Sequence, residues 1–489
     1  MKLSVLSLCV FASFSAAAPA AVPIKNVIMM VSDGFGPASE TFARAYVEQN
    51  DKLPVNYMSA LDQLFVGSSR TRSADSFVTD SAPGAVCFAS ALKTYNNAIG
   101  VDVNVEPIGT NMEAAHRNGM KTGLVVKSFI TDATPAAFAA HAATRYMQDL
   151  IAEQLGGLTD LGQNVDLMFG GGRCEFIGNA TKGSCRTDNK DVWGQMQKNG
   201  WGLISTNDEF KSLTSTSKMP LMGLFDLEKV PYAIDYSRND VPNLTQMAQK
   251  ALDILTESTK NSDKGFYIMI EGSRIDHGGH DNDLGTHVRE IIEYWDTVKM
   301  VSEYLDSHPD TVMVSTSDHE CGGLTIGRDN NYWYYPLTYL NQTMSQEQSC
   351  NGLLALPVAK RGAYVTEQML PIHLGIANAT AAKASAILKA TDYSSCLVAM
   401  RDALAVDANI QWTSLGHTGV DVNIYAKGPR TDELRGNHEN TDIGHWLNSV
   451  LGVDIAQATE IIKNTNVFQY PFTKANSTLI YSGPLDYHR

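Results

Sequence analysis

The sequence predicts an α/β fold: a mostly parallel central sheet with helices on both faces, plus a small inserted subdomain. Strand-like apolar runs alternate with amphipathic stretches along the 489 residues, the pattern of strands joined by covering helices. Several of those runs carry no charge on either alternating side, as strands buried on both faces require. Residues 335–410 break the pattern, being polar and aromatic at first and then alanine-rich.

Taken in order, strands are expected at residues 26–32, 123–127, 165–169, 266–270, 311–315 and 422–426, each an apolar run of strand length. Pro83 in a first turn, followed by alanines, predicts a helix over about 82–92. Residues 244–257 and 284–305 repeat Ile, Val, Trp and Met at spacings of three and four, as an amphipathic helix does. In KGFYIMIEGSRIDHGGHDND (264–283) the apolar run ends in an acidic, histidine-rich loop. Gly278-Gly279 argues against a regular helix there, so Asp276 and His280 are not expected one turn apart, although a loop can turn both inward. No period of 20–50 residues repeats. One α/β unit is expected over 21–489, with 335–410 inserted as a crown-like subdomain, a dimer contact or a lid.

A formal charge of −15 excludes a nucleic-acid-binding face, which needs basic residues to neutralise phosphates. Residues 1–20 combine a basic start, a short apolar stretch and small residues, so a cleaved signal peptide and a secreted protein are expected. The segment STLIYSGPLDYHR has no hydrophobic tail, and no membrane anchor is expected. Without Cys9 six cysteines remain. Cys174 pairs first with Cys185 and Cys350 second with Cys396, while Cys87 and Cys321 either bond or stay as buried thiols. N-x-S/T triplets at Asn179, Asn243, Asn341, Asn378 and Asn476 suit a secreted glycoprotein.

Three strands run into acids: NVIMMVSDG into Asp33, FYIMIE into Glu271, and TVMVSTSDHE into Asp318 and His319. Carboxyl ends of strands in an open α/β sheet line the ligand crevice, so these acids should converge there. Left alone they would repel one another, and divalent cations are the usual remedy. Mixed Asp and His donors suit zinc; an all-oxygen set suits magnesium. Ser81 stands at a helix start, where a serine serves either as a cap or, beside metals, as a nucleophile. FITDATPAAFAAHAATR adds Asp132, Thr134 and Arg145, whose planar fork can bind two phosphate oxygens at once.

Six segments in order then resemble the alkaline phosphatase family: VSDG at Asp33, VTDSA at Ser81, DATPAA at Asp132, EGSRIDHGGH at Glu271, SDHE at Asp318 and GHTG at His417. The resemblance implies hydrolysis of phosphate monoesters over a broad range, an alkaline optimum, a homodimer, and two zinc ions and one magnesium ion per subunit. It implies that Asp276, His280 and His417 bind a first zinc, and that Asp33, Asp318 and His319, completed by Ser81, bind a second. Magnesium would take Asp33, Thr134 and Glu271, with Asp132 direct or through water. Arg145 would hold phosphate, oriented by Asp80; His277 would reach phosphate through water or only hydrogen-bond Asp132. Ser81 would attack phosphorus in line and become a phosphoserine.

Three other readings are weaker. Ser81-Ala82-Pro83-Gly84 begins like a sulfatase S-x-P-x-R motif, but Ala85 stands where the arginine belongs. A phosphodiesterase has less use for Arg145, which suits the extra charge of a monoester. A non-catalytic phosphate- or metal-binding protein predicts a lost nucleophile or ligand, and neither is missing.

Overall fold

The computed structural model describes residues 23–376, 379–465 and 467. The expected signal segment and the sites at Asn378 and Asn476 lie outside the described residues. The strands are β1 (Asn26–Val31), β2 (Phe65–Arg70), β3 (Lys121–Phe129), β4 (Leu167–Gly171), β5 (Gly202–Ile204), β6 (Leu221–Leu224), β7 (Phe266–Glu271), β8 (Thr311–Thr316), β9 (Glu320–Cys321), β10 (Leu324–Ile326), β11 (Ile410–Trp412), β12 (His417–Thr418), β13 (Val422–Lys427) and β14 (Gly436–Glu439). Ten of them form one sheet in the order β14-β2-β13-β8-β1-β7-β3-β4-β6-β5. All of these run one way except β13, which is antiparallel to both neighbours. All six expected strands are in this sheet, as β1, β3, β4, β7, β8 and β13.

The period of two explains the layers. Val27, Met29 and Val31 of β1 enter one buried cluster, while Ile28 and Met30 enter the other. β7 divides likewise, with Phe266, Ile268 and Ile270 on one face and Tyr267 and Met269 on the other. Each such side chain contributes about 1.5–3 kcal/mol on burial, which commits the central strands to covering on both faces. Helices Ser81–Ser90, Ala133–Ala139 and Asn440–Leu451 cover one face. Helices Pro37–Asn50, Leu244–Thr259 and Leu284–Ser307 cover the other.

Residues 336–408 are largely helical, including Gln346–Ala355 and Tyr393–Ala408. Their Cys350, Leu353, Leu397 and Met400 share a buried cluster with Phe42 and Tyr339, so this stretch continues the core of that face. The Cys350–Cys396 disulfide ties the two helices, and Cys174–Cys185 closes the other expected loop. Cys87 and Cys321 are both unbridged, buried thiols. Among the described residues no helix is long and apolar enough to cross a membrane.

Two local expectations are corrected. Arg274–His280 is a helix despite Gly278-Gly279, because it packs too closely for side chains there. A Cβ on Gly279 would lie 3.0 Å from Cys321 Cβ, and one on Gly278 would lie 3.2 Å from His287 Cα. The glycines permit close approach rather than a turn, and Asp276 and His280 do sit one turn apart. The predicted 82–92 helix instead runs Ser81–Ser90, ended by Ala91 in the left-handed region at φ 54°.

β3 is anchored by a buried cation. Lys127 Nζ donates to Glu290 Oε1 and Oε2 at 2.9 and 2.7 Å and also meets Glu293, both on the Leu284–Ser307 helix. Lys127→Met would leave two buried carboxylates without their cation. The expected loss is about 3–5 kcal/mol in chemical denaturation; a loss below about 1 kcal/mol would show that the carboxylates neutralise themselves by protonation.

Candidate metal centre and active site

Four adjacent strands, β8, β1, β7 and β3, aim their carboxyl ends at one crevice. Asp318 and His319 follow β8, Asp33 follows β1, Glu271 ends β7, and Asp132 lies just beyond β3. The reversed β13 begins at this same edge, so the segment before it delivers His417 from the opposite direction. Gly34 makes the convergence possible: its φ is +73°, and a Cβ there would lie 2.5 Å from Asp276 Cα.

The donors fall into two groups. In the first, Asp276, His280 and His417 stand together with Cys321, their donor atoms all within 4.8 Å of one another. His280 Nε2 is 3.2 Å from Asp276 Oδ2, and His417 Nε2 is 3.5 Å from Asp276 Oδ1. His280 Nδ1 lies 2.6 Å from the Leu415 carbonyl and His417 Nδ1 lies 2.8 Å from the Thr79 carbonyl. Carbonyls only accept, so both Nδ1 atoms carry hydrogen and both Nε2 atoms offer lone pairs. Those Nε2 atoms are 3.1 Å apart, an approach that suits two ligands of one cation.

Asp33, Asp318 and His319 form the second group. His319 Nε2 is 3.3 Å from Asp318 Oδ2 and 3.6 Å from Asp33 Oδ1. Asp33 Oδ1 and Asp318 Oδ2 of this group, like Asp276 Oδ1 of the first, are buried without hydrogen-bond partners, as ligand atoms facing a cation would be. These donor sets fit divalent metal ions.

Ser81 points into the second group, its Oγ 3.1 Å from His319 Nε2. The helix cap is not Ser81 but Asp80, whose Oδ1 accepts from Ala82 N at 2.7 Å. Ser81 is therefore the first helical residue, and its hydroxyl is not spent on capping. Asp80 Oδ2 also accepts from Asn97 N at 2.5 Å.

Arg145 lies beyond the Ala133–Ala139 helix rather than on it. Its Nη2 donates to Asp132 Oδ1 at 2.7 Å, while Nη1 is 3.8 Å from Asp80 Oδ1. Asp132 is thus its nearer anchor, and Asp132 also caps the Ala133–Ala139 helix. Thr134 lies near enough to the Glu271 carboxylate to favour its charged form. Glu271 Oε2 additionally accepts from Ser273 and, at 3.3 Å, from Ser128. His277 stands beside Asp276 with its Nδ1 buried and unpartnered.

Ser128 and Cys321 lie outside the six segments, and Ser273 and Ser317 lie within two of them as residues to which the sequence assigns no role. Ser317 Oγ lies 2.5 Å from the Ser32 carbonyl and 2.6 Å from the His319 carbonyl, and it accepts from Phe35 N at 3.0 Å. It pins together the loops after β1 and β8. Only the position of Cys321, three residues after Asp318, hinted at a role.

Burial, then repulsion from Asp318, Asp276 and Glu271, holds the Asp33 carboxyl well above the usual range. Burial similarly pushes Glu271 up to about 8 and Asp318 up to about 6. Burial also acts on Asp276, but His280, His417 and His319 more than offset it and hold its carboxyl low. His417 and His319 are kept neutral chiefly by burial, the form a metal requires.

A carboxyl raised on folding is stable when protonated, so its contribution is present below the unfolded value and is lost as pH rises through the folded one. For Glu271 that window runs from 4.5 to about 8. Chelator-treated protein should therefore lose thermal stability as pH rises through this window, and zinc plus magnesium should reverse the trend. Melting curves that stay flat with pH in chelator would contradict the repulsion.

A family model described as alkaline phosphatase matches residues 24–453. The chain is 42% identical to the alkaline phosphatase of Schizosaccharomyces pombe, over 91% of this chain and 85% of that protein. It is 40% identical to the repressible alkaline phosphatase of Saccharomyces cerevisiae, over 90% of this chain and 84% of that one. Among solved structures, the cold-active alkaline phosphatase of a psychrophilic Shewanella shares the fold with a TM-score of 0.75 and 31% identity, covering 87% of this chain and 99% of its own. The chain shares the fold of these enzymes, hydrolyses phosphate monoesters and belongs to the alkaline phosphatase family.

Proposed function

We propose that Ser81 is the nucleophile of this phosphatase and passes through a phosphoserine. The observation that carries the reading is the approach of Ser81 Oγ, unused as a cap, to the Asp33–Asp318–His319 group. Asp276, His280 and His417 would hold one zinc, and Asp33, Asp318 and His319 with Ser81 a second. Asp33, Thr134 and Glu271, helped by Asp132, offer oxygen donors suited to magnesium. When bound, these ions supply Lewis acidity for the serine alkoxide, for the phosphoryl oxygens and for the leaving oxygen.

The residues supply the rest. The Ser81–Ser90 helix presents its N-terminal N–H groups and positive dipole end toward an incoming phosphate. Arg145, held by Asp132 and faced by Asp80, clamps the non-bridging oxygens, where a loose phosphoryl-transfer transition state spreads its charge. Glu271, on the oxygen-rich side of the site, would help supply the base that takes up the Ser81 proton. His277 would contact phosphate through water or bond Asp132.

The same reading includes a cleaved signal at 1–20, secretion, a homodimer and an insertion at 335–410 within the 21–489 catalytic domain. Two disulfides and the exposed Asn179 and Asn341 are compatible with export and glycosylation. A secreted chain beginning at Met1, or a monomer mass by light scattering, would remove the corresponding part.

Ser81→Ala should lower monoester turnover at least about 10³-fold while inorganic phosphate still binds. Unchanged turnover with full metal content would defeat the nucleophile assignment. Arg145→Lys keeps the charge but loses the fork. It should weaken phosphate inhibition about 10- to 100-fold, and an unchanged inhibition constant would place Arg145 outside the phosphate site.

A further inference from the structure

We propose that Cys321 is a sulfur donor to the ion held by Asp276, His280 and His417, an inference that rests on the metal-site reading above. Cys321 is unbridged and buried, so neither a disulfide nor a surface role accounts for it, and its thiol makes one long contact, 3.8 Å to the Gly416 carbonyl. Its position is set by the backbone. β9 and β12 form an antiparallel pair in which Cys321 stands directly opposite His417 and Glu320 opposite Thr418. Directly opposed residues share a face with Cβ atoms about 4.5–5.5 Å apart, so the thiol lies on the side of the ladder that presents the His417 ring.

Three contacts hold that register. Cys321 N donates to the Gly34 carbonyl at 3.1 Å, one residue from Asp33. Gly322 N donates to the Gly416 carbonyl at 2.8 Å. On the other face Thr418 Oγ1 donates to Glu320 Oε2. Behind the thiol, Gly279 leaves only enough room for Cys321, whose Sγ would sit 3.2 Å from a Cβ placed there.

The sulfur consequently stands with the donor atoms of Asp276, His280 and His417 inside a 4.8 Å limit. Bonds of about 2.0–2.3 Å to one ion would draw these four atoms together through small side-chain motions. Asp276 Oδ1 in the same group is buried, only 4% of its residue being exposed, and makes no hydrogen bond, its neighbours being His417 Nε2 at 3.5 Å and His319 Nδ1 at 4.0 Å. A buried carboxylate oxygen ringed by other donor atoms in this way suits a shared cation. Binding converts the thiol to a thiolate bonded to the metal, and its proton leaves to solvent. Asp276, His280, His417 and Cys321 would then supply four protein donors to the ion. A thiolate also biases this site toward softer ions than the neighbouring Asp33–Asp318–His319 group, which has only oxygen and nitrogen donors.

The test is to strip the full chain with chelator, reload it with cadmium, and measure bound cadmium, near-ultraviolet absorption and cadmium-113 resonances. Wild type should show a thiolate-to-cadmium absorption band and one resonance shifted strongly downfield of the other site. Cys321→Ser should lose both, whereas a Cys9→Ser/Cys87→Ala double variant should keep both. If Cys321→Ser does not fold, wild type and the double variant decide alone, because the remaining cysteines are in disulfides. Cadmium bound without any sulfur signature would overturn the role of Cys321 and leave the metal-site reading standing. Failure to bind cadmium would overturn both.

Discussion

Mutual repulsion among buried carboxylates is the constraint around which this protein is organised. Asp33, Glu271 and Asp318 end three adjacent strands, with Asp276 facing them from the next helix, and water is excluded from all four. In a medium of low effective dielectric such a cluster is unfavourable by several kcal/mol unless its members are protonated or share cations. The protein does a little of the work itself. Three imidazoles favour the Asp276 carboxylate, and serine hydroxyls favour Glu271. Asp33 receives no comparable help, and its carboxyl is the one most clearly out of balance.

Rigid elements hold that imbalance in place. The acids are fixed by strands buried on both faces, so they cannot swing away from one another to relieve the repulsion. Asp80 satisfies the helix end and leaves Ser81 available to chemistry, while Asp132 both caps its own helix and holds Arg145. Each of these side chains serves the fold and the crevice together. A substitution at any of them is therefore expected to disturb stability and phosphate recognition jointly.

Much of this was readable in advance because it depends on local pattern. The central strands are apolar on both alternating sides, a signal that survives without any knowledge of their partners, and all were found. The missed strands lie toward the sheet edges, where β14 reads GNHE and β2 reads FVGSSR, and where pairing rather than side-chain pattern makes the strand. The donor residues stood out because acids and histidines at strand ends are rarely grouped by chance. Gly278-Gly279 misled because glycine has two uses; whether it permits a bend or close packing depends on what lies opposite, here Cys321 and His287. Ser81 was ambiguous for a similar reason. Asp80 and Ser81 can each cap a helix, and only coordinates show which of them does. The role of Ser317 rests on its contact with the Ser32 carbonyl, between distant segments, which no single stretch encodes.

The reversed direction of β13 has an implication for how the enzyme matures. His417 reaches the crevice from a segment that the ribosome delivers about a hundred residues after His319, and it docks only when β13 has slotted beside β8. Until then the earlier part of the polypeptide holds most of its acids but not the full imidazole complement. Any ion that needs His417 would thereby be loaded late in assembly, so a nascent chain stalled before this strand would bind metal there weakly.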